Sequence, residues 1–285
     1  MLLSVVYKVL SLSWIFMCFL KTYLLGAYVL LKQLMFSRDV TTEQTLKTGM
    51  VAIVTGGDAG IGYEVSKGLV SKNVHVIIAG VMFKPYTTTE DGLEYHFQVN
   101  YLGHLYLTSL LLDKLKQSGA DNSFSRIINV SSVVHVLGSM NIETLVRPSK
   151  CWGYSSHYAY AESKLAIVMS TYRLHHEFLL DKCPVTVNAI HPGVVNTDLY
   201  RYVHWSLKWL LDFLATLLYK TPEEGADGIL YLALSSNLEG ESGGYYDSNC
   251  KHNSSTVSYN EDLQNDLWLK SFKIIEDLTQ QFEDV

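Results

Sequence analysis

The sequence predicts an α/β protein built on an open, mostly parallel sheet with helices on both faces. Three observations predict it. Short, apolar, β-branched runs alternate with longer segments of helical periodicity, the first run stops at a glycine-rich turn that opens into a helix, and later runs end in polar loops. The 285 residues suffice for one large core, and 18% charged against 48% hydrophobic residues excludes a disordered chain. A net charge of −6 without basic clusters argues against nucleic-acid binding. Cys18, Cys151, Cys183 and Cys250 lie far apart with no C-x-x-C, so neither a disulfide scaffold nor a zinc finger is indicated.

The first element is a hydrophobic leader, residues 1–48. Residues 1–38 hold Lys8, Lys21, Lys32 and Arg38 and no acid, so the remainder carries the whole negative balance. Val9 to Leu31 is apolar apart from Lys21, long enough to cross a hydrocarbon core of about 30 Å. A cleaved signal peptide would make the protein secreted, but no A-x-A site follows the apolar run. A spanning or hairpin anchor must tolerate Lys21, and an ordinary core helix fits poorly because the segment is apolar on every side. The leader is expected to hold the protein on endoplasmic-reticulum or lipid-droplet membranes.

The globular part, residues 49–285, reads as a single domain. Met50–Thr55 is a buried strand; Gly56-Gly57-Asp58-Ala59-Gly60-Ile61-Gly62 follows, and Tyr63–Lys72 is helical. Val74–Ile78 is a second strand, Tyr95–Leu115 a long helix, Arg126–Val130 a strand and Tyr158–Leu180 another helix. Val185–Ile190 is a strand closed by His191-Pro192-Gly193, Pro222 opens a helix to about Leu234, and Gly243–Tyr246 is a last short strand.

Strand, Gly56-x-x-x-Gly60-x-Gly62, then helix is what a dinucleotide pyrophosphate needs: glycines let the backbone turn tightly, and the helix N-terminus offers N–H groups to the anion. The spacing is neither G-x-G-x-x-G nor a P-loop, and a plain glycine turn stays open. Tyr160 and Lys164 stand four apart on one helix face. That spacing alone is weak, since Tyr28 and Lys32 in the leader share it. Asn129-Val130-Ser131-Ser132 and Pro192-Gly193-x-x-x-Thr197 lift it, because each follows a strand where such sheets place their chemistry.

These four ordered motifs resemble the short-chain dehydrogenase/reductase family, and Asn100-Tyr101-Leu102-Gly103-His104, Asn196-Thr197-Asp198 and Thr221-Pro222-Glu223-Glu224-Gly225 are similar to its retinol-dehydrogenase-like branch. The resemblance runs from about residue 50 to 270 and implies a Rossmann-like, doubly wound sheet. It implies NAD or NADP as cofactor, a lipophilic alcohol or carbonyl as substrate (polyprenol-type first, retinoid or steroid otherwise), and leaves room for a homodimer. It assigns Tyr160 the proton exchange, Lys164 the lowering of the tyrosine pKa and a hold on the nicotinamide ribose, and Ser132 rather than Ser131 the substrate oxygen. Asn100 would bind a relay water. Gly56, Gly60, Ile61 and Gly62 would meet the pyrophosphate, and Thr197 the nicotinamide amide.

One departure stands out. In the family a second strand, two helices and two further strands separate the glycine turn from an Asn-Asn-Ala-Gly motif. Here Val74–Met82 runs straight through Ala79-Gly80 without Asn-Asn, an internal deletion of one to two βα units after Ile78. At roughly 30 residues per unit, the adenine contact and the residue choosing NAD or NADP fall in the lost part. The segment begins like the second strand and ends like the fourth, and one segment cannot fill both slots.

Other constellations are weaker. His175-His176-Glu177 is not H-E-x-x-H, no G-x-S-x-G occurs, and Asn253-Ser254-Ser255 is a sequon that matters only on a lumenal face. Tyr202–Tyr219, rich in Trp and Leu, is a core helix, or else a lid over a greasy substrate or a membrane-contacting surface. Two functions are expected to compete: an NAD(P)-dependent oxidoreductase, and a catalytically impaired chain that only binds lipid or a partner.

Overall fold

The computed structural model describes residues 2–35, 49–79, 88–146, 154–195 and 219–283. Thr197, most of the Trp-rich stretch and residues 80–87 lie outside the described residues.

The leader forms one helix, α1 (Leu2–Met35). Strand β1 (Val51–Thr55) leads through the glycine turn into α2 (Gly60–Ser71). Asn73 then takes a φ of 64°, the left-handed conformation that ends the helix and turns the chain into β2 (His75–Ala79). β1 and β2 pair in parallel, Val51 opposite His75 and Thr55 opposite Ala79.

Helix α3 begins at Tyr95–Phe97, widens into a π-helical turn at Gln98–Leu102, and continues over Gly103–Ser118. It leads to β3 (Ser125–Val130), the short helix α4 (Ile142–Val146) and the long α5 (Ser156–Leu180). Then come β4 (Val185–His191), α6 (Pro222–Leu234), β5 (Tyr245–Asp247), β6 (Cys250–His252) and α7 (Glu261–Glu283). The second sheet has the order β3-β4-β5-β6, parallel except at β6. The elements read from sequence are present where described; α4, β6 and α7 are additions to that reading.

Two apolar clusters hold the layers. α5 buries Leu165, Ala166, Ile167 and Met169 with Phe97, Tyr101 and Leu105 of α3 and Leu267 and Ile275 of α7. Each such large side chain contributes about 2 kcal/mol by leaving water. On the other side, Val65 and Leu69 of α2 pack on Ile229 and Leu230 of α6, over Ala52, Val54 and Val76. Gly68 allows this approach: a Cβ there would lie 2.5 Å from a Leu230 methyl. A capping box between Thr221 and Glu224, with Pro222 in the first turn, fixes where α6 starts.

The continuous run after α2 therefore pairs beside β1 as β2. Among the described residues no strand stands between β1 and β3, so the two sheets are joined by helices rather than by a ladder. β1 is half-buried at Ala52 and Val54, while Val51 and Ile53 are 65% and 42% exposed. Every residue of β4 is buried and none of β3 fully is.

Candidate active site

The carboxyl ends of β1, β3 and β4 carry the motif loops. At β1, Gly56 and Gly60 have φ of 68° and 53°, a backbone that side chains rarely adopt. A Cβ on Gly62 would sit 2.0 Å from the Gly56 carbonyl oxygen, so the turn closes only over glycine. The N-cap of α2 is Ala59, which offers no side-chain acceptor to the first-turn N–H groups. The helix end is thus left open to an anion. Ile61 and Val195 both press on Gly225, which draws the loop after β4 to the glycine turn.

At β3 the two serines have different partners. Ser131 is buried and its hydroxyl donates to the Lys164 carbonyl at 2.9 Å, a tie between strand and α5. Ser132 caps the short turn that follows, and its side chain hydrogen-bonds Tyr160. Asn129 donates to the Thr171 hydroxyl at 2.9 Å, fixing the loop to α5 a second time.

α5 presents Tyr160 and Lys164 on one face, with Nζ 5.7 Å from the phenol ring centroid. Lys164 donates to the Val130 carbonyl at 2.9 Å. Burial pushes the Tyr160 phenol up to about 12, opposed by the Ser132 hydrogen bond. Desolvation lowers the Lys164 ammonium to about 8. Asn100, in the π-turn of α3, donates to the Ser163 hydroxyl at 3.1 Å, and Ser163 donates to the Tyr160 carbonyl at 2.8 Å. Asn100, Ser132, Tyr160 and Lys164 are thus brought together, and the glycine turn stands at the same end of the strands.

Sequence reading missed several neighbours. Buried Glu94 accepts from the Phe97 N–H at 2.7 Å and the Tyr154 hydroxyl at 2.8 Å, and pairs with His96 Nδ1 at 2.8 Å; these bonds hold its carboxyl below the usual range despite burial. The His96 ring meets that of Tyr160 at 6.2 Å. His135 donates from Nδ1 to the Ser132 carbonyl at 2.8 Å and accepts at Nε2 from the Ser255 N–H at 3.0 Å, which fixes the neutral tautomer beside Ser132. His191, buried at the end of β4, has neither ring nitrogen hydrogen-bonded, and burial keeps it neutral. These residues carry no spacing signal; only the fold gathers them.

No family model matches the chain. A polyprenol dehydrogenase of Homo sapiens is 37% identical over 312 positions, covering 88% of this chain and 94% of that protein. A polyprenol dehydrogenase of Danio rerio is 36% identical, covering 90% and 96%, and retinol dehydrogenase 13 of Mus musculus 43% identical, covering 69% and 58%. Among solved structures, an uncharacterised protein from Mycobacterium paratuberculosis superposes with a TM-score of 0.63 at 21% identity, covering 82% of this chain and 96% of that one. A short chain dehydrogenase from Pseudomonas syringae gives 0.51 at 18%, covering 74% and 99%; at these identities the likeness is one of fold.

Proposed function

Because the chain belongs to the short-chain dehydrogenase/reductase family, we propose that it is an NAD(P)-dependent oxidoreductase interconverting a long lipophilic alcohol and its carbonyl, with a polyprenol-type alcohol placed before retinoids and steroids. The observation that carries the reading is the Ser132–Tyr160 hydrogen bond with the Lys164 ammonium 5.7 Å from the same ring.

The bound nicotinamide would supply the hydride acceptor or donor. Ser132 would hold the substrate oxygen by its hydroxyl. Tyr160 would take the alcohol proton in oxidation and return it in reduction. Lys164 would stabilise the phenolate by its positive charge as the proton leaves. Asn100, through Ser163, stiffens the helix turn that carries Tyr160. The residues present fit a dinucleotide at the glycine turn: Gly56, Gly60 and Gly62 give a pyrophosphate backbone contact without side-chain obstruction, and α2 adds its N-terminal N–H groups. Ile61 would pack beside them, and Thr197 is proposed for the nicotinamide amide.

Tyr160→Phe tests the assignment. It should abolish alcohol oxidation and carbonyl reduction while the melting temperature stays within a few degrees of the parent. Turnover above a few per cent of the parent would place the chemistry elsewhere.

A second reading, impaired turnover with lipid or partner binding retained, is favoured by the absence, among the described residues, of a ladder between β1 and β3. The alignment to the human relative supports it. It runs over 312 positions yet covers 88% of 285 residues, leaving about sixty positions without a residue of this chain, roughly two βα units. Titration with NAD and NADP separates the two: saturable binding with turnover supports the enzyme, and absent binding by both supports the impaired form.

A further inference from the structure

Helix α1 lies along the folded domain instead of standing off it. Trp14 meets Tyr158 edge-on at 5.6 Å between ring centroids, and Phe19 and Tyr23 flank His157 at 5.7 and 6.0 Å. The Cys18 thiol meets the Ser155 side chain. Farther along, Lys32 Nζ reaches Asp247 at 2.8 Å, and the Gln33 side-chain oxygen accepts from the Val194 N–H at 3.1 Å. These partners border the site: Ser155, His157 and Tyr158 open the helix of Tyr160, Val194 lies in the loop after β4, and Asp247 ends β5.

The docked stretch is as long as a bilayer core is thick. Trp14 to Gln33 spans about 29 Å at 1.5 Å per residue, against roughly 30 Å of hydrocarbon. A helix docked over that length cannot cross a bilayer without carrying the domain in with it. His157, the Val194 backbone and the Lys32–Asp247 pair would then sit at hydrocarbon depth, where open polar backbone and ion pairs are not tolerated.

The opposite stripe is apolar and open. Leu12, Phe16, Leu20, Leu24, Leu31 and Met35 recur at four- and seven-residue spacing, and Leu12, Phe16 and Leu24 are 65%, 65% and 61% exposed. Lys21 is exposed on the flank between the two stripes, and the first 38 residues hold no acid. An apolar stripe with the Lys21 cation on its flank fits the acyl region of a lipid leaflet with anionic headgroups at its edge.

We propose that α1 lies in the plane of one leaflet, its inner stripe clamped to the rim of the site and its outer stripe in the acyl chains, rather than spanning the membrane. Lateral entry of a long-chain alcohol past Ser155–Tyr158 follows from this, and that consequence alone rests on the function proposed above.

Topology is tested without turnover, so its failure is distinct from failure of the enzymatic reading. Tags are placed before Met1 and after Val285, and sealed microsomes bearing the protein are treated with protease. Both tags digested, or both protected, is the expected result; one of each overturns the proposal. Docking is tested with Ser155→Cys, expected to form a disulfide with Cys18 when the membrane-bound protein is oxidised with copper–phenanthroline in air. The double variant Trp14→Cys, Tyr158→Cys, joined by a short bis-maleimide, repeats the test should loss of the Ser155 cap disturb α5. No cross-link in either pair overturns the docking. Release into the soluble fraction by carbonate, with α1 cross-linked to α1 of another molecule, would assign the stripe to a second copy and also overturn it.

Discussion

Tyr160 and Lys164 are held away from their ordinary ionisation in opposite directions, and both displacements have the same cause. Burial favours the neutral form of each, so the phenol goes up to about 12 and the ammonium down to about 8. The linkage signs follow. Lys164 costs stability at pH 7, where the unfolded chain holds its proton more tightly; the penalty lifts as pH rises from about 8 towards 10.5. Tyr160 leaves stability intact below pH 10, and it is lost as pH rises through about 12. Lys164→Met should therefore abolish turnover yet melt a few degrees higher than the parent at pH 7, the gain shrinking towards pH 10. A variant that melts lower at pH 7 would show that the bond to the Val130 carbonyl outweighs desolvation. At this scale the sequence was legible wherever chemistry and spacing coincide. Ser132, Tyr160 and Lys164 stand in ordered motifs; in the structure Ser131 bonds the Lys164 carbonyl and Ser132 bonds Tyr160. Glu94, His96 and His135 were not legible as site neighbours, because what ties them to the site and closes their bonds, Tyr160, Tyr154 and Ser255, comes from distant segments.

Among elements, the glycine turn makes the firmest demand on identity. Gly62→Ala should lower the melting temperature by several degrees and remove binding of inorganic pyrophosphate, since the Gly56 carbonyl 2.0 Å from the new methyl is backbone and cannot step aside cheaply. Calorimetric titration with unaltered pyrophosphate affinity would mean the turn does not hold the anion. Thr221→Ala removes one half of the capping box and should cost about 1 kcal/mol in denaturant unfolding; because α6 carries α2, the loss should extend to the first sheet. Pro222 and its capping residues made α6 readable to the residue. α7 had a readable signal that went unused: Leu263, Leu267, Ser271 and Ile275 recur every four residues, and Ser271 accepts or donates across to the Tyr101 hydroxyl at 3.0 Å. The π-turn at Gln98–Leu102 had none, since one extra residue in a turn leaves no mark on apolar periodicity.

Among the described residues the molecule has two sheets sharing helices, β1-β2 and β3-β4-β5-β6, with no ladder between β1 and β3. Restoring about two βα units between β2 and α3 should tighten NADP binding at least tenfold and raise the melting temperature. Equal affinity and melting in both forms would show that the lack of that ladder costs nothing. That α1 is apolar was plain from composition; that it lies against Tyr158 and Asp247 was not, because hydropathy measures how greasy a helix is and not what it touches.

The separation of the sheets has a consequence for deuterium uptake. β1 and β2 are held to the rest chiefly by α2 on α6, while β4 is buried along its whole length between β3 and β5. Amides of Ala52–Val54 and Val76–Ile78 should therefore exchange through a partial opening of the β1–α2–β2 unit, well before those of Val187–Ile190, which wait for global unfolding. A phosphate-bearing ligand gripping the turn at Gly56–Gly62 would close that opening, slowing exchange in the first sheet and leaving β4 unchanged. Isotope uptake in one strand pair thus becomes a binding assay that needs neither turnover nor a known substrate.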